Sequence, residues 1–195
     1  MSLKKDWIII KERLPLEIAQ IGNDFICADK LVDYLIQAED HRYKHHLGFD
    51  VIAIFRAIYK NLFKGTMEGA STIEQQLVRV LTSNYKRTIG RKCKEIILAT
   101  RLKTIATKRE IALVYLNIAY YGTDYQNLDS ILRRYSLSKQ DNIPDKICAE
   151  IVARLKYPEP RSINIRRIKQ IEMRTEYILN RYIQSTNNYG WKRFF

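Results

Sequence analysis

Glu39 and Glu95 bracket the segment Gly69-Ala70-Ser71-Thr72-Ile73-Glu74-Gln75-Gln76, and Lys and Arg are concentrated around all three. Carboxylates take up protons, and clustered guanidinium and ammonium groups neutralise anionic oxygens. The set therefore suits transfer chemistry on a phosphate-linked substrate. Gly69 and Ala70 let a backbone approach another group closely, Ser71 is placed to cap a following helix, and Gln75 and Gln76 offer amide donors and acceptors. A general base works best when its pKa is lifted from about 4.3 by an apolar pocket or a like charge, and Asp40 stands next to Glu39. An exposed acidic pair at a helix end is the plain alternative for the same two residues.

The elements that must carry these residues read as helices. Leu31, Val32, Leu35, Ile36 and Ala38 recur at helical spacing and lead into Glu39, at the C-terminal end of their helix. Ile73, Leu77, Val80 and Leu81 form the stripe of a second helix. On it Ser71, Gln75 and Arg79 fall within about 80° of one another, opposite that stripe. Cys93, Ile96, Ile97 and Thr100 mark a third, with Arg91 and Glu95 an i,i+4 pair turned away from its apolar side. Ile111, Val114, Tyr115 and Ile118 mark a fourth, ended by Gly122. Two more run through Ile147–Leu155, stopped by Tyr157-Pro158-Glu159-Pro160, and through Ile168–Tyr182. From Asp50 to Phe63 a broad apolar stripe, relieved by Arg56, Lys60 and Lys64, fits either core or an interfacial helix with lysines at lipid headgroups. Period-2 alternation is absent, so the class is mainly α.

At 195 residues the chain is long enough for one domain, 1–195, with a substantial core. Lys and Arg number 34 against 21 Asp and Glu, and the net charge of +13 calls for an anionic partner: phosphates, an acidic membrane surface or nucleic acid. Ten basic and two acidic residues between Arg79 and Glu110 carry +8 of it. Apolar runs such as Trp7–Ile10 and Val51–Phe55 fall far short of the roughly 18 residues needed to span a bilayer, and no signal-peptide pattern opens the chain. Cys27, Cys93 and Cys148 lack CxxC spacing, so neither a disulfide framework nor a metal site is indicated. They are expected to pack as small apolar residues, Cys93 and Cys148 on the apolar faces of their helices.

Four motifs occur in one order: Glu39-Asp40 followed by Tyr43, His46 and Gly48; Gly69-Ala70-Ser71-Thr72-Ile73-Glu74-Gln75-Gln76; Arg91-Lys92-Cys93-Lys94-Glu95; and Lys108 leading to Tyr115-Leu116-Asn117. In this the chain, from about Leu14 to Leu179, resembles the peptidoglycan glycosyltransferases of glycosyltransferase family 51, found in class A penicillin-binding proteins and monofunctional cell-wall polymerases. The resemblance implies a lysozyme-like, two-lobed fold of head and jaw, with a membrane-facing jaw around 49–68. It implies polymerisation of lipid II into glycan strands, with release of polyprenyl pyrophosphate and inversion at the anomeric carbon, on the outer face of the bacterial cytoplasmic membrane. Lipid II, the growing glycan strand, the membrane surface and other cell-wall synthesis proteins are the implied partners. Relatives normally carry an N-terminal transmembrane helix, so this chain is expected to be a shortened form or to reach its membrane through a partner.

Carried over residue by residue, the resemblance makes Glu39 the general base and Glu95 the second catalytic carboxylate, near the donor pyrophosphate. Arg56, Arg79, Arg87 and Lys94 match phosphate-gripping positions, and Asp40, Ser71, Gln75, Gln76 and Arg91 complete the substrate-binding set. His46 is expected to hold loop structure. The sequence requires no cofactor, and the resemblance leaves room for a divalent cation, Mg or Mn, at Glu95. There are departures. Glu74 stands where the family has Thr, Arg79 replaces Lys, Tyr43 replaces Phe, and Thr123–Ser138 is polar where a glycine- and alanine-rich stretch is usual. Glu74 is expected to turn outward beside Val78 or to pair with a nearby Lys or Arg, the alternative being that it points toward the donor pyrophosphate and weakens donor binding. The alternatives are a polymerase of another polyprenyl-pyrophosphate sugar, a catalytically silent or repurposed member binding lipid-linked precursor or glycan, and, from charge alone, a nucleic-acid binder.

Overall fold

A computed structural model describes residues 2–22, 25–63, 69–86 and 88–191. Arg87 and the end of the expected jaw segment, 64–68, lie outside them. The helical periodicities become nine α-helices among the described residues: α1 Leu3–Ile21, α2 Ala28–Glu39, α3 Val51–Phe63, α4 Ile73–Leu81, α5 Ile89–Leu102, α6 Lys108–Ile118, α7 Leu128–Arg134, α8 Asp145–Lys156 and α9 Ile165–Trp191. A 3-10 turn spans Tyr43–His45. Extended pairing is limited to isolated bridges from Gly122 to Tyr125 and to Glu159. The mainly α class holds, and no described helix is long and apolar enough to cross a membrane.

The chain forms two compact units, Met1–Gln20 with Glu39–Tyr115, and Ile21–Ala38 with Leu116–Phe195. In the first, α4 packs along α5. Ile73, Leu77, Val78 and Leu81 of α4, Leu98, Ala99 and Leu102 of α5, Ile10 and Leu14 of α1 and the inner side of α6 form its core. In the second, α8 packs along α9, Tyr34 stacks on Tyr182 with ring centroids 4.1 Å apart, and Cys148, Ile151, Val152 and Ile178 are buried.

Several expectations need correction. The buried side of α5 is Glu95, Leu98, Ala99 and Leu102, whereas Cys93 and Ile97 are exposed. The helix is thus turned from the expected stripe, because ion pairs compensate Glu95 and let it share the core side with the leucines. Cys93 therefore does not pack inside as Cys27 and Cys148 do. The core reading of α3 also fails: Val51, Ile52, Phe55, Tyr59, Leu62 and Phe63 are all exposed. Helices α1 and α7 carry weak apolar patterns and were not expected. In α7 Asn127 and Ser130 form a reciprocal capping box that opens the helix inside the polar segment.

Candidate active site

The start of α4 organises the site, with Thr72 rather than Ser71 as its cap. The Thr72 hydroxyl accepts from the Gln75 amide and donates to the Gly48 carbonyl at 2.8 Å. Asp40, just past the end of α2, accepts from the Ile73 amide at 3.2 Å, so a carboxylate faces the positive end of α4. Gly48 has φ +98°, and a Cβ there would stand 2.6 Å from the Ala99 carbonyl carbon of α5. Only glycine fits such a backbone so close to another. The Gly48 carbonyl also accepts from the Gln75 side chain at 3.2 Å.

One turn further on, the Gln76 side-chain amide donates to a Glu39 carboxylate oxygen at 3.2 Å. Its own oxygen accepts from the Tyr115 hydroxyl of α6. Burial, reinforced by the nearby Glu39, pushes the Tyr115 phenol far up, so it remains a donor. This fixes which way the Gln76 amide points and hence how Glu39 is held. Half-buried Glu39 opens on a small cleft with Asp50, Arg56, Gly69, Ala70 and Ser71.

Glu95 is 3% exposed and is held by two guanidinium groups. The Arg79 Nε lies 2.9 Å from its Oε1 and the Arg79 Nη2 3.3 Å from its Oε2, while Arg91 binds Oε1 through Nη1. Lys92, not singled out in the sequence although it lies within the Arg91–Glu95 motif, bridges the two helices. Its ammonium donates to Ser71 Oγ at 2.8 Å and to Gln75 Oε1 at 2.5 Å. Burial lowers its pKa, Glu95 opposes that, and Arg79 and Arg91 add to it. Its spacing of three residues from Glu95, one helical face, was the signal available. The polar face of α4 is thus occupied internally: Gln75 is fully buried and Arg79 is committed to Glu95.

A cavity of about 470 Å³ opens beside this cluster, lined by Ser83, Asn84, Tyr85, Lys86, Arg91 and Lys94 among others. The Arg91 Nε is buried there with no hydrogen-bond partner. Three cations thus meet at the first turns of α5, whose amide end favours anions. Both oxygens of Glu95 accept from guanidinium groups, Oε1 from Arg79 and Arg91 and Oε2 from Arg79.

Glu74 does not turn outward. It is 2% exposed, pairs with Lys108, and stands 4.0 Å from His46 Nδ1. The expected pairing with a Lys is realised, but inside the protein, and Val78 beside it is buried too. His46 Nε2 faces both Asp40 oxygens, at 3.0 and 2.9 Å, while Nδ1 accepts from the Gly48 amide at 3.3 Å. Asp40, His46 and Glu74 bring ligand atoms within 4.8 Å of one another, and Lys108 donates to Glu74 Oε1. His46 holds the loop, as expected.

A cavity of about 510 Å³ lies in the second unit between α8 and α9. Its buried Arg154 is bound to Glu159 and to the Glu150 carbonyl, and Arg134 also binds Glu159, so its central charges neutralise one another. No candidate catalytic residue lies in it.

The family model described as Transglycosylase matches residues 15–183. The chain is 32% identical over 152 residues to the biosynthetic peptidoglycan transglycosylase of Thiobacillus denitrificans, covering 77% of this chain and 65% of that protein. It is 42% identical over 113 residues to penicillin-binding protein 1A of Escherichia coli, covering 57% of this chain and 13% of the relative. It is 33% identical over 124 residues to the monofunctional glycosyltransferase of Staphylococcus haemolyticus, covering 62% and 46%. The chain thus spans less than two thirds of the length of these relatives. The matched residues 15–183 include Glu39, the α4 face that holds it, and Glu95 with its guanidinium pair, and by that match the chain belongs to the peptidoglycan transglycosylases, glycosyltransferase family 51.

Proposed function

We propose that the chain polymerises lipid II into glycan strands at the outer face of the bacterial cytoplasmic membrane, releasing polyprenyl pyrophosphate with inversion at the anomeric carbon. The observation that carries this reading is that α4 grips two carboxylates a turn apart, Glu39 through Gln76 and Glu95 through Arg79. Residues three apart share a helix face, about 5–6 Å between their Cβ atoms. The pair is therefore presented along one edge.

In this reading Glu39 takes the proton from the acceptor's 4-hydroxyl. That oxygen bonds to the donor's anomeric carbon as the bond from that carbon to the phosphate oxygen breaks, and the electron pair leaves on the pyrophosphate. Arg91, Lys94 and Lys86 neutralise the charge that builds there. Arginine's planar fork suits this task because it engages two phosphate oxygens at once. Arg56, beside Glu39 in its cleft, is suited to a nearby phosphate or sugar oxygen. Lys92 and Gln75 hold the two helices in register beneath the substrates. Residues of the exposed face of α3 enter the membrane interface, where a polyprenyl-linked substrate resides.

Incubation with fluorescent lipid II in detergent or vesicles tests the reading. Polymer ladders from the wild type and their absence from Glu39→Gln are expected. Absence of polymer from wild type, with lipid-linked precursor still bound, would favour a silent, precursor-binding role instead.

A further inference from the structure

We propose that the second unit carries a docking trough for an extended segment of another protein, in which Lys or Arg side chains alternate with aliphatic ones. The cavity between α8 and α9 and a smaller one of about 220 Å³ beside residues 160–164 share Glu159 and Ile168 in their walls, so the two adjoin. Ile171 and Leu179 wall one end and Ile163 the other. Ile163 and the nearby Ile165 are 90% and 81% exposed, and Ile168 between the cavities is exposed too. Bare aliphatic side chains grouped beside a concave surface and rimmed by charge mark a place that another molecule covers.

The charges on the trough decide what covers it. Arg134 and Arg154 both bind Glu159, and Glu150 accepts from the Tyr135 hydroxyl and lies 3.8 Å from Arg154, so the two acids and two bases of the floor cancel. Asp124, Glu172 and Glu176 then stand against Lys146 and Arg161, all five of them exposed. Among the described residues no ion pair ties any of the three carboxylates. The free charge is therefore acidic by one, on a chain whose net charge is +13. Such a face repels phosphates and an anionic lipid surface, whereas the exposed apolar residues of α3 are interspersed with Arg56 and Lys60 and suit one. The trough thus calls for a cation on an apolar frame. Spacing adds to this. Ile168, Glu172 and Glu176 follow one another at four-residue intervals, so apolar wall and carboxylates run along one face of α9, with about 5–6 Å between neighbours. Alternate side chains of an extended peptide stand about 6.6 Å apart, close enough to that interval for two successive bases to meet Glu172 and Glu176.

The test selects binders from a phage library of random peptides on the immobilised full chain at physiological salt, then titrates the synthesised peptides calorimetrically and by methyl NMR. Selected peptides should carry Lys or Arg among aliphatic residues, the reverse of what the chain's overall charge would collect. They should shift the methyl resonances of Ile163, Ile168 and Ile171. Glu172→Gln with Glu176→Gln should weaken a selected peptide about fivefold or more, as loss of two exposed ion pairs does. Ile163→Ser should weaken it at least about tenfold. Tm should stay at the wild-type value in both variants, because all three side chains are exposed. Recovery of no binder, or only of acidic or uncharged ones, overturns the proposal. So do affinities that remain within about twofold of wild type in both variants, or methyl shifts confined to other residues. Ile163→Ser with Ile165→Ser should sediment with anionic vesicles as wild type does; a tenfold loss would make the trough a lipid contact instead. Analytical ultracentrifugation decides the remaining occupant, since a wild-type dimer that Ile163→Ser dissociates would put a second copy there and overturn the proposal. No arm uses lipid II, so the polymerase reading and this one fail separately.

Discussion

Glu39, the proposed base, is held by two neighbours. Gln76 donates to it, and the Tyr115 hydroxyl determines which end of the Gln76 amide does so. Glu39→Gln keeps the shape and loses the proton acceptor, so polymerisation should fall at least about 100-fold while binding of a phosphoglycolipid donor-site inhibitor persists. Turnover and inhibitor affinity measured on the same preparation check this. Tyr115→Phe should be milder. It leaves the Gln76 oxygen unsatisfied, costing about 1–3 kcal/mol of stability, and frees the amide to turn its oxygen toward Glu39. A drop in kcat of about tenfold with little change in KM is expected, because only the orientation of the proposed base is disturbed. Equal losses in Tyr115→Phe and Glu39→Gln would make the phenol more than a positioning group.

At the scale of elements, α5 shows how ion pairing can override an apolar pattern. Cys93, Ile96, Ile97 and Thr100 read as an inner stripe, yet Glu95 faces inward because Arg79 and Arg91 accompany it. Arg91→Ala should therefore harm folding as well as function. It leaves a buried carboxylate with half its compensation, a loss of about 3–5 kcal/mol for a disrupted buried pair. A markedly lower Tm, together with weaker binding of the same inhibitor, is the expected result; a Tm unchanged from wild type would show that Arg79 suffices. Helix α3 makes the opposite case, with side chains such as Leu62 and Phe63 exposed. Leu62→Ser with Phe63→Ser should leave Tm unaltered and weaken sedimentation with anionic lipid vesicles at least tenfold, since burying either side chain is worth about 1.5–3 kcal/mol. Undiminished vesicle binding would remove α3 from the membrane contact.

Over the whole molecule, burial of phenols and a thiol ties stability to pH. Burial pushes Tyr34, Tyr43, Tyr115 and Tyr135 far above the ordinary phenol range, and pushes the Cys148 thiol up to about 12. A group whose folded pKa exceeds its unfolded value contributes stability that is complete below the unfolded pKa. That contribution is lost as pH rises above it. For these groups the loss begins near pH 9–10, where exposed thiols and phenols titrate. Lys92 works the other way: its folded pKa is lowered, so its cost shrinks as pH approaches 10.5. Several groups against one give a net loss in alkali. Urea midpoints should hold between about pH 7 and 9 and fall above about pH 10, with the tyrosinate absorbance of the buried phenols appearing only on unfolding. A midpoint that rises through that range would contradict the burial of these side chains.

Helical periods, the order of the four motifs and the basic run from Arg79 to Glu110 were legible in the sequence because they depend on neighbours a few residues apart. So were the helical class and the candidates Glu39 and Glu95. What the sequence left undecided is where each charge finds its partner. Ser71 and Thr72 are both good caps, and the Gly48 carbonyl selected Thr72. Glu74 could turn out or in, and Lys108, distant in sequence, drew it inside. Lys92 reads as one more surface cation until Ser71 and Gln75 are brought against it. The apolar stripe of α3 is the same string of letters whether covered or bare. Local pattern specifies that a helix forms and which side is apolar, but a buried charge is tolerable only beside its counter-charge, and that pairing exists only once the chain has folded.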